Sequence, residues 1–176
     1  MTRLNVHLDL SSYFPAIREL AEEYRGKIEV LTGIELGLMR REKEYLLNLT
    51  DSLSVDYIIG SNHFVDGFDV YDREYYDGRT EHASYLRYFE SVLERLNAFD
   101  CFDSLGHLDY IIRYGPEKNR NYRPKDYMDI IDAILRTLIK KGKALECNTP
   151  DLSMVWDIPI PMRRSFSITM ISAANC

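Results

Sequence analysis

A chain of 176 residues, 45% hydrophobic and 28% charged, is long enough to bury one sizeable core and too apolar to be read as disordered. A formal charge of -6 without a dense basic cluster disfavours a nucleic-acid partner, and no apolar run nears the roughly 20 residues that cross a bilayer. Cys101, Cys147 and Cys176 are odd in number and widely spaced, giving neither a disulfide framework nor a thiolate zinc knuckle; a reducing cytoplasm is the expected location.

The first element in chain order is a short apolar stretch, Leu4 to Leu8, a weak strand candidate. Residues 1–7 lack the long apolar core of a secretory signal. Phe14, Ile17 and Leu20 at helical spacing predict a helix over 15–24, with Gly26 as its stop. Ile28, Val30, Leu31 and Ile34 then suit a strand over 27–36. A second helix is expected over 40–52, Leu46, Leu47 and Leu49 turned inward and Glu42, Lys43 and Glu44 in water. Residues 55–60 form a compact buried strand. The polar and aromatic stretch 65–79 carries turn signals at Asp66-Gly67 and Asp77-Gly78.

Residues 81–99 give the clearest helix, because Tyr85, Tyr88, Phe89, Val92, Leu93 and Leu96 recur at offsets of three and four. A weaker strand over 101–106 follows, then a Gly115-Pro116 turn and an amphipathic helix over 127–139, preceded by Pro124 and closed by Gly142. Residues 143–147 make the fourth clear strand. Alternation of strand and helix predicts one α/β domain over 1–176, with a parallel sheet and helices outside it. A barrel is favoured over an open doubly wound sheet because polar residues follow several strands rather than one crossover crevice. Four strands, or five with Leu4 to Leu8, make only part of such a ring, since a complete eight-stranded barrel takes about 250 residues.

Three metal-ligand types stand just after or within those strands: Glu35, His63 and His107. Strand ends of a barrel meet on one face, so two imidazoles and a carboxylate far apart in sequence can share zinc, iron or manganese. Two have a plainer reading: Glu35 as a charged strand end in water, His63 as a loop hydrogen-bonder. Ser61 and Asn62 can donate to phosphate oxygens or orient water. His107 and Asp109 alternate and so can face the same way, with Asp109 favoured as a residue that holds or polarises the site. Arg113 offers a planar fork for phosphate, its alternative being an ion pair with Glu117. Glu146 and Asn148 alternate at the fourth strand's end, and an inward Glu146 requires a compensating cation or metal. His82 is read as a surface or packing residue. No phosphate-binding loop, dinucleotide fingerprint, serine elbow or HExxH helix is present.

Taken in order, several pieces resemble the polymerase and histidinol phosphatase (PHP) family, with the closest likeness to its histidinol-phosphatase branch. They are Gly33-Ile34-Glu35-Leu36-Gly37, Tyr57-Ile58-Ile59-Gly60-Ser61-Asn62-His63-Phe64, Leu105-Gly106-His107-Leu108-Asp109-Tyr110, Arg113-Tyr114-Gly115, and Gly142-Lys143-Ala144-Leu145-Glu146-Cys147-Asn148-Thr149. The resemblance implies a distorted seven-stranded β/α barrel with a cluster of metals at its open end. It implies Glu35 as a bridging carboxylate, His63 and His107 completing one metal position, and Asp109 and Arg113 as catalytic residues. Ser61, Asn62, Arg113 and Asn148 would contact substrate.

The implied reaction is metal-dependent hydrolysis of a phosphomonoester, L-histidinol phosphate in histidine biosynthesis, with zinc, manganese or iron as cofactor. Other PHP phosphoesterases, acting on tyrosine phosphate or nucleic acid, and an inactive remnant of the fold are the alternatives. Two pieces of the family pattern have no counterpart: the His-x-His of a first strand, and the Asp-x-His after the last, where Ala173-Ala174-Asn175-Cys176 stands instead. The domain is therefore expected to be incomplete relative to the family, and its uncovered edges suggest a homo-oligomer.

Overall fold

Local chemistry decides where each helix begins. The computed structural model describes residues 8–117 and 120–146. In helix α1, Leu10–Glu23, Asp9 is the N-cap and accepts a 2.9 Å hydrogen bond from the Ser11 backbone N–H. The helix thus starts five residues before the expected boundary, and Pro15 lies inside it rather than opening it. None of its residues is buried. Thr80 caps α3, Glu81–Ala98, in the same way, its hydroxyl accepting from the Ala83 N–H. Helix α2 covers Lys43–Ser52 and follows a short 3-10 turn at Arg40–Glu42. Helix α4, Met128–Lys140, follows a 3-10 turn at Pro124–Tyr127 and closes at Gly142, whose φ of +64° is the left-handed conformation of a helix stop.

Four parallel strands form the sheet: β1 Gly33–Gly37, β2 Tyr57–Ser61, β5 Ser104–Leu105 and β6 Ala144–Leu145. Between β2 and β5 lies a two-stranded hairpin, β3 Phe64–Val65 and β4 Phe68–Asp69. The sheet order β1-β2-β5-β6 follows chain order throughout. A doubly wound sheet reverses direction at a switch point; an unreversed parallel series is the arc of a barrel. Strand β1 is shorter than expected, because Ile28 and Leu31 are exposed and residues 27–32 have no ladder partner until Thr32 receives the Asp56 N–H. The candidate strand Leu4 to Leu8 falls almost wholly outside the described residues.

Carboxylates complete the strand starts: Asp56 accepts from the Thr32 N–H and Asp103 from the Ile58 N–H, each at 2.7 Å. At β2, Gly60 has no room for a side chain, since a Cβ would lie 2.9 Å from both Leu38 and Phe102. The core lies between the sheet and α3 with α4, built from Tyr85, Tyr88, Phe89, Val92 and Leu96 against Tyr127, Ile131, Ile134 and Leu138. Each such side chain contributes about 1.5–3 kcal/mol on burial. Two buried phenols find partners, Tyr75 donating to the Ser84 carbonyl and Tyr76 to that of Val70. Burial pushes the Tyr75 phenol up to about 12. Among the described residues no helix is long and apolar enough to cross a membrane.

Candidate metal centre

The donors reach one place because the parallel register carries their strands side by side. Glu35 on β1 is level with Ile59 on β2, and Ile59 with Ser104 on β5. His63 and His107 each stand two residues past their strand's end, on loops that leave the same edge of the sheet. The hairpin after His63 turns at Asp66-Gly67, both with positive φ, 53° and 92°, as a two-residue loop with the right-handed strand twist demands. That turn is anchored: Asp66 meets Arg87 at 2.8 Å and Arg79 at 3.1 Å. Hydrogen bonds from Arg87, and lesser ones from Arg79, overcome partial burial and hold the Asp66 carboxyl below its ordinary range. The His63 carbonyl accepts from the Val70 N–H at 3.0 Å, fixing the loop's other side.

One donor atom from each of Glu35, His63 and His107 lies within 4.8 Å of the other two. The two Nε2 atoms are 2.7 Å apart, and Glu35 Oε1 is 3.5 Å from His63 Nε2 and 3.7 Å from His107 Nε2. Lone pairs facing one another at that distance repel unless a proton or cation lies among them. Donors about 2.0–2.2 Å from zinc in tetrahedral array stand roughly 3.3 Å apart, so the two carboxylate distances fit and the imidazoles need only part slightly. Two histidines and one carboxylate, with the fourth position open, is a donor set of catalytic rather than structural zinc sites. Burial, reinforced by neighbouring His107 and opposed by Glu35 and Asp69, lowers the His63 pKa. Its imidazole is therefore neutral at pH 7, the form that ligates.

The other expected site residues are placed less uniformly. Tyr110 packs its ring 4.4 Å from His63 and 5.2 Å from His107. Arg113 lies over Tyr110 at 5.9 Å and pairs with Asp109 at 3.5 Å, not with Glu117, which meets Arg120. Asp109 pairs with the Arg113 that lies over Tyr110 and is not among the converging ligands. Ser61 and Asn62 are 1% and 2% exposed, and the Asn62 amide donates to Ser91 inside the core. That packing gives them no accessible face for a ligand. His82 packs, its Nδ1 3.0 Å from the Tyr127 hydroxyl. Asn148 lies outside the described residues. The sequence reading missed the contact between Glu146 and His107, for which alternation at the fourth strand's end was the only signal.

Residues 1–150 match the PHP domain. Histidinol-phosphatase of Lactococcus lactis is 34% identical over 147 residues, covering 83% of this chain and 55% of that protein. A probable histidinol-phosphatase of Clostridium acetobutylicum is 30% identical over 145 residues, covering 82% of this chain and 55% of that protein. The crystal structure of Lactococcus lactis histidinol phosphate phosphatase, complexed with zinc, L-histidinol and phosphate, superposes with a TM-score of 0.82 at 30% identity. It covers 99% of this chain and 65% of that one. The chain therefore belongs to the PHP domain family, and its kinship runs to the histidinol-phosphatase branch. It spans about half the length of the curated relatives it matches.

Proposed function

We propose that this PHP-family chain holds a divalent transition metal on Glu35, His63 and His107 and serves hydrolysis of a phosphomonoester, L-histidinol phosphate. One observation carries the reading: three ligand atoms, one from a strand and two from the loops after two others, converge within 4.8 Å. Relatives named for the same reaction, and a similar structure named as complexed with zinc, L-histidinol and phosphate, support the choice of substrate and metal.

When bound, the ion supplies Lewis-acid activation of water and neutralises charge on phosphoryl oxygens. The chain's own residues do the rest. His63, kept neutral by burial, and His107 present their Nε2 lone pairs; Tyr110 packs on both rings and limits their rotation. Arg113 receives a phosphoryl oxygen through its guanidinium, and Asp109 orients that group from 3.5 Å. Ser61 and Asn62 pack beneath the site, and the family resemblance makes Asn148 a substrate-contacting residue. Among the described residues β1 is an edge strand, which suits association of two copies, and light scattering across protein concentration tests this. A cytoplasmic, reducing setting fits a chain whose described cysteine, Cys101, is a free thiol.

The test is metal analysis of purified protein together with phosphate release from histidinol phosphate under added zinc, manganese or iron. Bound metal with turnover of that substrate is expected. Preference for phosphotyrosine or DNA ends would move the assignment elsewhere within the family. Metal without turnover would leave a binding scaffold, and neither would end the reading.

A further inference from the structure

Glu146 follows β6 directly, and its backbone N–H donates to the Leu105 carbonyl at 2.8 Å, so the sheet itself places the residue. Its Oε2 accepts the His107 backbone N–H at 2.8 Å and lies 3.3 Å from His107 Nδ1. Gly106 lies beside this contact, and Ile59 leaves it no room for a side chain. A Cβ there would stand 3.4 Å from the same oxygen and 2.8 Å from Ile59 Cγ2. The opposite ring nitrogen, Nε2, is the atom that faces Glu35 and His63.

We propose that Glu146 is a positioning residue for the metal centre: it holds His107 with the proton on Nδ1, turning the Nε2 lone pair toward the ion. The inference rests on the metal-site reading above. A carboxylate accepts and does not donate, so the nitrogen it faces must carry the hydrogen, and the other is left free to ligate. A carboxylate behind a ligating imidazole both fixes the ring and raises its basicity. Two hydrogen bonds accepted by one oxygen, from backbone and from ring, lock the loop and the side chain together. Glu146 itself is not among the converging ligand atoms, which separates its role from that of Glu35.

The experiment measures zinc affinity by competition titration for the wild-type chain, Glu146→Gln and Glu146→Ala, with melting of the metal-free proteins alongside. Glutamine keeps an acceptor oxygen and loses the charge; alanine loses both. Affinity is expected to fall about 10-fold in the glutamine variant and nearer 100-fold in the alanine variant, the range such outer partners command. Metal-free melting of Glu146→Gln is expected to match wild type. Unchanged affinity in both variants overturns the proposal. So does a loss in Glu146→Gln that merely follows a lowered melting temperature, since that marks a structural role. If the wild-type chain binds no zinc, the metal reading fails separately. Long-range proton–nitrogen NMR of the metal-free protein then decides: a proton on His107 Nδ1 supports the role, and one on Nε2 overturns it.

Discussion

The face built by α3, α4 and the central strands differs sharply from the face built by α1 and β1. Ile134, Leu138, Tyr85 and Leu96 have no measurable exposure, and aromatic rings interlock around Tyr127. On the other face Leu20 is 43% exposed, Ile28 60% and Leu31 58%. There the Tyr13 hydroxyl, donating to the Gly33 carbonyl at 2.6 Å, ties helix to strand. The metal centre straddles the boundary. His107 hangs from the packed side, 12% exposed at its side chain, whereas Glu35 sits on the edge strand at 46%. Similar sequence periodicity thus has different energetic weight on the two sides, because burial rather than pattern supplies the free energy.

The contrast breaks most readily at its strongest point. Ile134→Ala removes a fully buried side chain, and chemical denaturation is expected to show a loss of about 2–5 kcal/mol. Zinc tests whether the two sides can be joined through Glu35. At 100 times its dissociation constant a ligand adds about 2.7 kcal/mol of stability. Hydrogen exchange is expected to slow in β1 on zinc addition, and in α4 only by as much as global unfolding is opposed, and a chelator should reverse both.

A smaller effect belongs to the hairpin beside His63. Asp66→Asn is expected to cost about 1 kcal/mol at pH 7, read from the denaturation midpoint, since one buttress to Arg87 and Arg79 weakens. Because the folded carboxyl is held below its ordinary pKa of 3.8, the unfolded chain binds more protons as pH falls. The wild-type advantage is therefore complete above the unfolded pKa and disappears as pH drops through the folded one. The smallest change is expected at Leu20→Ser, within about 0.5 kcal/mol, for a side chain already in water. A loss comparable to that of Ile134→Ala would show that α1 is covered in solution.

Much of this was legible in the chain. Among the described residues, strand-then-helix alternation located the four sheet strands and the four helices, and polar residues at several strand ends brought together Glu35, His63 and His107. Boundaries were harder. Two-residue strands such as β5 and β6 carry no period to read, and Pro15 imitates a helix start although the Asp9 cap begins the helix earlier. The side-chain directions of Asn62 and Arg113 depend on tertiary neighbours, Ser91 for one and Asp109 for the other. Neither partner is signalled by local spacing. Glu146 illustrates the same limit: alternation placed it at the rim, but its partner is His107, on the loop after the adjacent strand.

The unreversed order of the strands has a further bearing on how such a chain can change over time. Each ligand is delivered by its own strand, and quite different linkers join them: a helix from β1 to β2, a hairpin, a 3-10 turn and a long helix from β2 to β5. Insertions or deletions in those linkers leave the rim of the sheet where it is. The chemistry is modular with respect to loop length, so lineages can remodel the mouth around the ion, and with it the choice of substrate, without rebuilding the grip beneath.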